Sequence, residues 1–153
     1  MEMQRWRAAM LAGAGASTAI AVLGWLDLGW QWTLLMAPFG ASCVLLFSLP
    51  DSPLARPQNV LGGHLLSAIL GLLVQLLPLP MEVKLALGVG LAVALMQGLG
   101  VIHPPAGANP LVVVLTAQSW PFLWQTVLPG GDHSFTQWDN YLDPILQFAG
   151  LLP

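Results

Sequence analysis

The chain has 153 residues, of which 56% are hydrophobic and only 7% are charged, with a mean hydropathy of +0.74 and a net charge of −3. Soluble domains carry about 25% charged residues, so this composition excludes an ordinary soluble fold. The four basic residues form no cluster that would bind nucleic acid, and the single cysteine, Cys43, excludes a disulfide framework.

Apolar runs long enough to cross a bilayer predict the transmembrane segments. In chain order, the predicted spans are 8–26, 34–49, 60–77, 85–102 and a weaker 109–128. The first is longer than the apolar core of a signal peptide, so we expect it to be retained as a helix. The fold class is therefore an all-α polytopic transmembrane helical bundle, with residues 1–128 as its membrane domain.

Residues 129–153 are predicted to form a polar C-terminal segment that ends in a short apolar stub. The basic residues predict the orientation of the spans, because Arg5, Arg7 and Arg56 fall on one side and Lys84 on the other. Positively charged loops face the cytoplasm, which places the N-terminus there. We expect an integral protein of a bacterial inner membrane or a plastid membrane.

The segment His103-Pro104-Pro105-Ala106-Gly107-Ala108-Asn109-Pro110 interrupts the apolar pattern. Two adjacent prolines cannot continue an α-helix, because each lacks an N–H group. Asn109 and Pro110 have the chemistry of a new helix start, with asparagine as the N-cap and proline at the first position. Interrupted helices at membrane depth persist where they are buried in protein or line a cavity. This segment is therefore the predicted functional site.

The segment Pro38-Phe39-Gly40-Ala41-Ser42 aligns with Pro105-Ala106-Gly107-Ala108-Asn109. The shared pattern is Pro-x-Gly-Ala followed by a small capping residue. An odd number of predicted spans separates the two copies, so they would cross the membrane in opposite directions. This is typical of an inverted repeat, in which interrupted helices mark the binding site. The alternatives are chance similarity of Gly/Ala-rich helices and simple proline kinks.

Under the repeat, Ser42 and Asn109 would each cap a half-helix directed at a common centre near the midplane. Free N–H groups and the helix dipole make such N-termini anion sites. The predicted donors and caps are Gly40, Ala41, Ser42, Gly107, Ala108 and Asn109. The predicted spans contain no Lys, Arg or carboxylate between their ends, so a small monovalent anion is the expected ligand.

Two histidines belong to the same prediction. His64 either binds the ligand or reaches the membrane interface. His103 would donate a hydrogen bond to the anion and carry a proton, or else tether a carbonyl freed by Pro104 and Pro105. Two histidines fall short of the three protein ligands of catalytic zinc, and Ser42 lacks an acidic partner for a triad. We therefore expect no enzyme, metal or cofactor.

These segments resemble the recurrent blocks of the HPP family of integral membrane proteins. The resemblance lies in His103–Pro110, in Ala37–Ser42 and in the stretch Ser52-Pro53-Leu54-Ala55-Arg56-Pro57-Gln58-Asn59-Val60-Leu61-Gly62-Gly63-His64. It covers roughly residues 8–128 and implies a multi-span membrane protein and transporter. Plastid members related to cyanobacterial ones are associated with nitrite transport, which agrees with an anion ligand.

Together these observations predict a transporter or channel for a small inorganic anion, with nitrite as the candidate. The alternative is a membrane scaffold or sensor in which the motif is purely structural. The expected partners are the anion, the lipid bilayer and a second copy of the chain. We expect either that the chain is a shortened or divergent member of the family, or that a homo-oligomer supplies the packing that the short C-terminal stub lacks.

Overall fold

The computed structural model describes residues 2–30, 36–120 and 122–123 of the chain. Within these residues the regular secondary structure is helical, with loops and turns between the helices and no strand, which confirms the predicted fold class. The described residues include five α-helices and two 3₁₀ turns, and residues 122–123 are also helical. The α-helices are α1 (Glu2–Trp30), α2 (Ala37–Ser48), α3 (Pro57–Gln75), α4 (Met81–Gly98) and α5 (Asn109–Leu115), and the 3₁₀ turns are Pro53–Ala55 and Pro104–Ala108.

Three of the helices are long and apolar enough to cross a membrane: Glu2–Leu26 within α1, and the whole of α3 and α4. The apolar segments Ala37–Ser48 and Pro104–Leu115 are shorter. At 1.5 Å per residue, the 12 residues of α2 extend only about 18 Å, less than the roughly 30 Å hydrocarbon core. Each of these two segments is therefore too short to cross the membrane by itself.

The predicted span 85–102 corresponds to α4. This helix ends at Gly98, before the two prolines, Pro104 and Pro105, that the sequence predicts to end it. Gly100 adopts the left-handed conformation with φ of 70°. The Gly100 N–H donates to Gln97 O at 3.3 Å and the Val101 N–H to Met96 O at 2.9 Å. This is a Schellman motif, which a glycine favours because it has no Cβ. Gly100 thus ends α4 before Pro104 is reached.

The predicted span 109–128 also differs from the structure, because α5 ends at Leu115. Ala117 has a φ of 49°, and the N–H groups of Ala117 and Gln118 donate to Val114 O and Val113 O. The chain therefore closes α5 with the same kind of left-handed cap. Residues 34–35, 121 and 124–128 of the predicted spans, and the predicted segment 129–153, lie outside the described residues.

α3 is the central helix of the described bundle and packs against α4, α5 and the Pro104–Ala108 turn. Its buried face includes two glycines, Gly63 and Gly71. A Cβ built on Gly71 would lie 2.9 Å from the Cα of Pro110, and one built on Gly88 of α4 would lie 2.9 Å from the Pro110 Cβ. Two glycines on facing helices therefore let the start of α5 fit between α3 and α4.

The same contacts give the direction of the interrupted segment. His103 lies beside Gly63 and Pro110 beside Gly71, so the segment advances along α3 in the same direction. α2 is joined to α3 by the short 49–56 connection, and helices joined in this way run antiparallel. The segments aligned in the sequence repeat thus run in opposite directions, although Pro38–Ser42 is α-helical and Pro104–Ala108 is a 3₁₀ turn.

Candidate functional site

Four polar side chains from separate parts of the chain meet inside the bundle. They are Ser42 of α2, His64 of α3, His103 after α4, and Asn109 at the start of α5. His103 is 0% exposed, Asn109 1% and Ser42 4%, while His64 is half-buried. Burying polar groups without hydrogen bonds costs several kcal/mol on water-to-hydrocarbon scales, so their pairing decides whether the cluster is stable.

Ser42 connects the two histidines. Its Oγ lies 3.0 Å from Nε2 of His64 and 2.8 Å from Nε2 of His103. It also lies 3.1 Å from Pro38 O, one turn earlier in α2. The two imidazole centroids are 5.0 Å apart, and the ring of Phe39 packs edge-on against His64 at 5.1 Å. A single hydroxyl group thus bridges two imidazoles.

The second ring nitrogen of His103, Nδ1, lies 2.9 Å from Leu54 O in the Pro53–Ala55 turn. A carbonyl oxygen only accepts, so Nδ1 carries the hydrogen. The tether expected for His103 therefore exists, but the prediction that it binds a carbonyl freed by the two prolines is wrong. Just before His103, the carbonyl of Ile102 is bound by another side chain, since Asn59 Nδ2 donates to Ile102 O at 2.9 Å.

When both imidazoles are neutral, His103 determines the direction of the hydrogen bonds between the two rings. Because its Nδ1 donates, its Nε2 accepts, and the hydrogen comes from the Ser42 hydroxyl, which also faces the acceptor Pro38 O at 3.1 Å. The Ser42 oxygen then accepts from Nε2–H of His64, which leaves Nδ1 of His64 as an acceptor. Asn109 Nδ2 lies 3.0 Å from that nitrogen and donates its other hydrogen to His64 O at 2.9 Å.

The result is a continuous chain in which every group donates to the next. It runs from the Asn109 amide to His64, then Ser42, then His103, and ends at Leu54 O. We call it the Asn109–Leu54 chain. Ser67, one turn along α3, donates to His64 O at 3.2 Å and does not contact a ring nitrogen.

The structure corrects the predicted capping roles. Ser42 is the sixth residue of α2, whose N-cap is Met36, and Ala108 rather than Asn109 is the N-cap of α5. The Asn109 N–H donates to Ala106 O, because the 3₁₀ turn continues into α5 without a gap. The predictions that Ser42 and Asn109 cap half-helices are therefore wrong, since their side chains bind His64 instead.

The predicted backbone donors lie around the cluster without joining its hydrogen bonds. Gly40 and Ala41 are exposed and lie inside α2, where helical N–H groups pair with carbonyls one turn earlier. Gly107 and Ala108 are half-buried in the 3₁₀ turn. Their roles in binding an anion stay predictions, and the structure offers side chains rather than free N–H groups as the polar centre.

The cluster lies close to mid-depth along α3. His64 is two residues from Leu66, the middle residue of the helix, which is about 3 Å along its axis. His103 and Leu54 lie toward the N-terminal end of α3 and its 49–56 connection. The Asn109–Leu54 chain therefore leads from the middle of the bundle toward the loops at one end.

Sequence reasoning missed two members of this arrangement, Asn59 and the Leu54 carbonyl. Asn59 had a detectable signal, since it is a polar residue at the start of an apolar span. The Leu54 carbonyl had none, because any residue supplies a carbonyl. In the part of the chain that the structure describes, no group of three or more His, Cys, Asp or Glu side chains lies together to hold a metal.

An open groove of about 500 Å³ runs beside the cluster, between α2 and the Pro104–Ala108 turn. Its lining includes Pro38, Ala41, Pro104, Pro105 and Ala108, and every lining residue is apolar. The groove gives no hydrogen bond to an anion, so the polar contacts in this region come from the cluster.

Comparisons with known proteins agree with this architecture. The chain is similar to two transmembrane proteins of Dictyostelium discoideum, each 38% identical, over 108 and 107 residues. These matches cover 65% and 67% of this chain but only 38% and 34% of the relatives, so the chain spans about a third of their length. No solved structure matches significantly. The model of the HPP transmembrane region matches residues 1–131, and the chain therefore belongs to the HPP transmembrane family.

Proposed function

We propose that this chain moves a small monovalent anion across its membrane. The His64–Ser42–His103–Asn109 cluster would be the polar site that the anion binds on its way. The observation that carries the proposal is a pair of imidazoles bridged by the Ser42 hydroxyl group, that of His64 near the middle of α3 and that of His103 packed beside it. Ionisable groups at that depth are expensive and mark solute or proton pathways.

The charge that the cluster can hold supports a monovalent ligand. Two positive imidazoles 5.0 Å apart would repel by about 3 kcal/mol even at an effective dielectric constant of 20. A second added proton on the pair is therefore strongly disfavoured, so the pair can balance at most one negative charge.

The lysine and arginine side chains of the described residues lie elsewhere. Arg5 and Arg7 are near the start of α1, and Arg56 precedes α3. Lys84 lies in the first turn of α4, where its Nζ donates to Gln75 O at 2.9 Å. One anion would thus be balanced by one proton on the imidazole pair, since no fixed cation contacts the cluster within the described residues.

Nitrite is the candidate anion. It carries one negative charge and is small enough to accept hydrogen bonds from one imidazole and its neighbours. The His103–Pro110 and Ala37–Ser42 blocks resemble the HPP family, and the association of its plastid members with nitrite transport favours the same choice.

The test is nitrite uptake into proteoliposomes that contain the purified chain. Asn109→Ala removes both hydrogen bonds to His64, and Asn59→Ala is the matched control because it removes a buried asparagine outside the cluster. Saturable uptake that falls at least tenfold in Asn109→Ala and persists in Asn59→Ala would support the proposal. Uptake no faster than in empty vesicles, from protein shown to be folded, would contradict it.

One observation favours a second function, a non-transporting scaffold or sensor. Each ring nitrogen of His64 and His103 already has a protein partner, as a purely structural lock requires. The two functions differ in ligand dependence, because a ligand that binds the folded state raises the unfolding temperature. A scaffold predicts no shift of the wild-type unfolding temperature in nitrite compared with an equal concentration of chloride or sulfate.

A further inference from the structure

We propose that the Asn109–Leu54 chain is a proton relay, which carries one proton between His64 at mid-depth and the 49–56 connection at one end of the bundle. The proposal rests on the proposed anion transport for its driving force, since the proton would accompany the anion. It goes beyond that function by naming the coupled ion, the path and the atoms that carry it.

The geometry provides the two internal proton transfers of the relay and a hydrogen-bond acceptor at its end. The donor–acceptor distances along the path are 3.0 Å from His64 Nε2 to Ser42 Oγ, 2.8 Å from Ser42 Oγ to His103 Nε2, and 2.9 Å from His103 Nδ1 to Leu54 O. All three lie within ordinary hydrogen-bond range. Imidazole is suited to this task because it takes a proton at one nitrogen and releases one from the other.

The proton balance closes with one proton entering and one leaving. A proton binds Nδ1 of His64, and the Nε2–H bond of His64 breaks as an O–H bond forms on Ser42. The original Ser42 O–H bond breaks as an N–H bond forms at Nε2 of His103. The contact between His103 Nδ1 and Leu54 O then opens, and the Nδ1–H bond breaks as a water molecule that enters from the 49–56 connection takes the proton, because a carbonyl oxygen is too weak a base to hold it.

Asn109 fits both protonation states of His64 without rotating. Its Nδ2 lies 3.0 Å from His64 Nδ1 and its Oδ1 lies 3.3 Å from the same nitrogen. The amide nitrogen donates when Nδ1 is bare, and the amide oxygen accepts when Nδ1 is protonated. The same amide can therefore pair with His64 in either protonation state, as a relay requires.

The Leu54 carbonyl favours one protonation state of the relay, the resting state in which Nδ1 of His103 carries a hydrogen. After a proton has passed, Nδ1 of His103 is bare and faces an oxygen that also only accepts. This arrangement is unfavourable, so the chain returns to its resting state when a proton enters Nδ1 from the loop end and passes back through Ser42, or when the rings re-tautomerise. The relay therefore works in either direction, and the ion gradients determine the net flow.

Few other titratable groups face the two imidazoles. Each faces the other at 5.0 Å, and the contacts of the remaining elements come from Phe39, Ser42, Leu54 and Asn109, which do not titrate at neutral pH. Among the described residues, Cys43 is buried beside Ser42 in sequence, and no hydrogen bond joins it to either ring. The relay is thus composed of His64, Ser42 and His103.

The experiment measures proton and nitrite movement in the same proteoliposomes, with a pH-sensitive dye inside and an inward nitrite gradient. Empty vesicles are subtracted, because nitrous acid crosses lipid unaided. Ser42→Ala removes the hydroxyl group between the rings, and Ser42→Thr keeps a hydroxyl group. Ser67→Ala is the matched control, since Ser67 is equally buried but binds only His64 O.

We expect the vesicle interior to acidify as nitrite enters through wild type, Ser42→Thr and Ser67→Ala. In Ser42→Ala, we expect the rate of proton entry to fall at least tenfold. Nitrite entry without proton entry in wild type would overturn the relay and leave the anion transport standing. Proton entry without nitrite entry would overturn the anion transport and support the relay as a proton path. Both of these outcomes are measured on wild type alone, so they distinguish the two proposals even if Ser42→Ala fails to fold.

Discussion

Ser42 and Asn109 bind opposite ring nitrogens of one imidazole, that of His64. Ser42 Oγ lies 3.0 Å from Nε2, and Asn109 Nδ2 lies 3.0 Å from Nδ1. These are the residues that the short sequence repeat aligns with each other. The two copies of the repeat therefore meet at a histidine that belongs to neither copy, and their polar residues act through side chains rather than as helix caps.

The hydrogen-bond directions predict the tautomers of both histidines. In the resting protein at neutral pH, His64 carries its hydrogen on Nε2 and His103 carries its hydrogen on Nδ1, because Leu54 O accepts only. Nitrogen-15 NMR of histidine-labelled protein distinguishes the two tautomers by the chemical shifts of the ring nitrogens. Assignment uses His64→Gln and His103→Gln, each of which removes one set of signals. A spectrum with both rings protonated on Nε2 would contradict the direction assigned to the chain.

Asn109→Ala and Asn59→Ala should both reduce stability, by about 1 kcal/mol or more each, because each removes hydrogen bonds made by a buried side-chain amide. Asn109→Ala leaves Nδ1 of His64 without its donor, while His64 O still accepts from Ser67 Oγ, and Asn59→Ala removes the donor to Ile102 O. Thermal unfolding in detergent measures both changes. Only Asn109→Ala should also alter the nitrogen-15 shifts of His64, and unchanged shifts in that variant would contradict the contact.

Gly63→Ala should displace the segment after α4. A Cβ at this position would lie 2.9 Å from the His103 Cβ and 3.1 Å from Val101 O, so the backbone must move. Overpacking of this kind costs about 1–3 kcal/mol. Gly90→Ala in α4 is the matched control, because nothing lies within 4 Å of its added Cβ. Equal unfolding temperatures for the two variants would show that the close approach at Gly63 is not required.

Gly40→Ala tests whether a ligand closely approaches the backbone N–H of Gly40, as the sequence predicts, because alanine keeps the N–H group but adds a Cβ beside it. No atom lies within 4 Å of an added Cβ, and Gly40 is exposed inside α2. Alanine is favoured over glycine in a helix by about 0.5–1 kcal/mol, so the variant should be as stable as wild type or more so. We expect nitrite uptake to be unchanged as well. A large loss of uptake in a stable Gly40→Ala protein would restore the predicted backbone site.

Much of the fold follows from the sequence itself. Long apolar runs predict the helices α1, α3 and α4, because the hydrocarbon core of a membrane requires about 20 apolar residues per helical span. The prolines at 38, 104, 105 and 110 predict that other helices are short or interrupted. The sequence also indicates the site residues, because polar side chains in or beside apolar spans need hydrogen-bond partners. These residues are His64, His103, Ser42 and Asn109.

Only the tertiary structure decides which partners those groups take. The capping role predicted for Ser42 is local, whereas its actual contacts with His64 and His103 join residues far apart in the sequence. The helix ends at Gly100 and Ala117 likewise depend on left-handed backbone conformations that the apolar pattern does not contain. Hydropathy and proline placement thus determine which segments lie in the membrane and where they break. The hydrogen-bonded cluster arises because glycines on α3 and α4 let the interrupted segment approach, and that approach is a property of packing between helices.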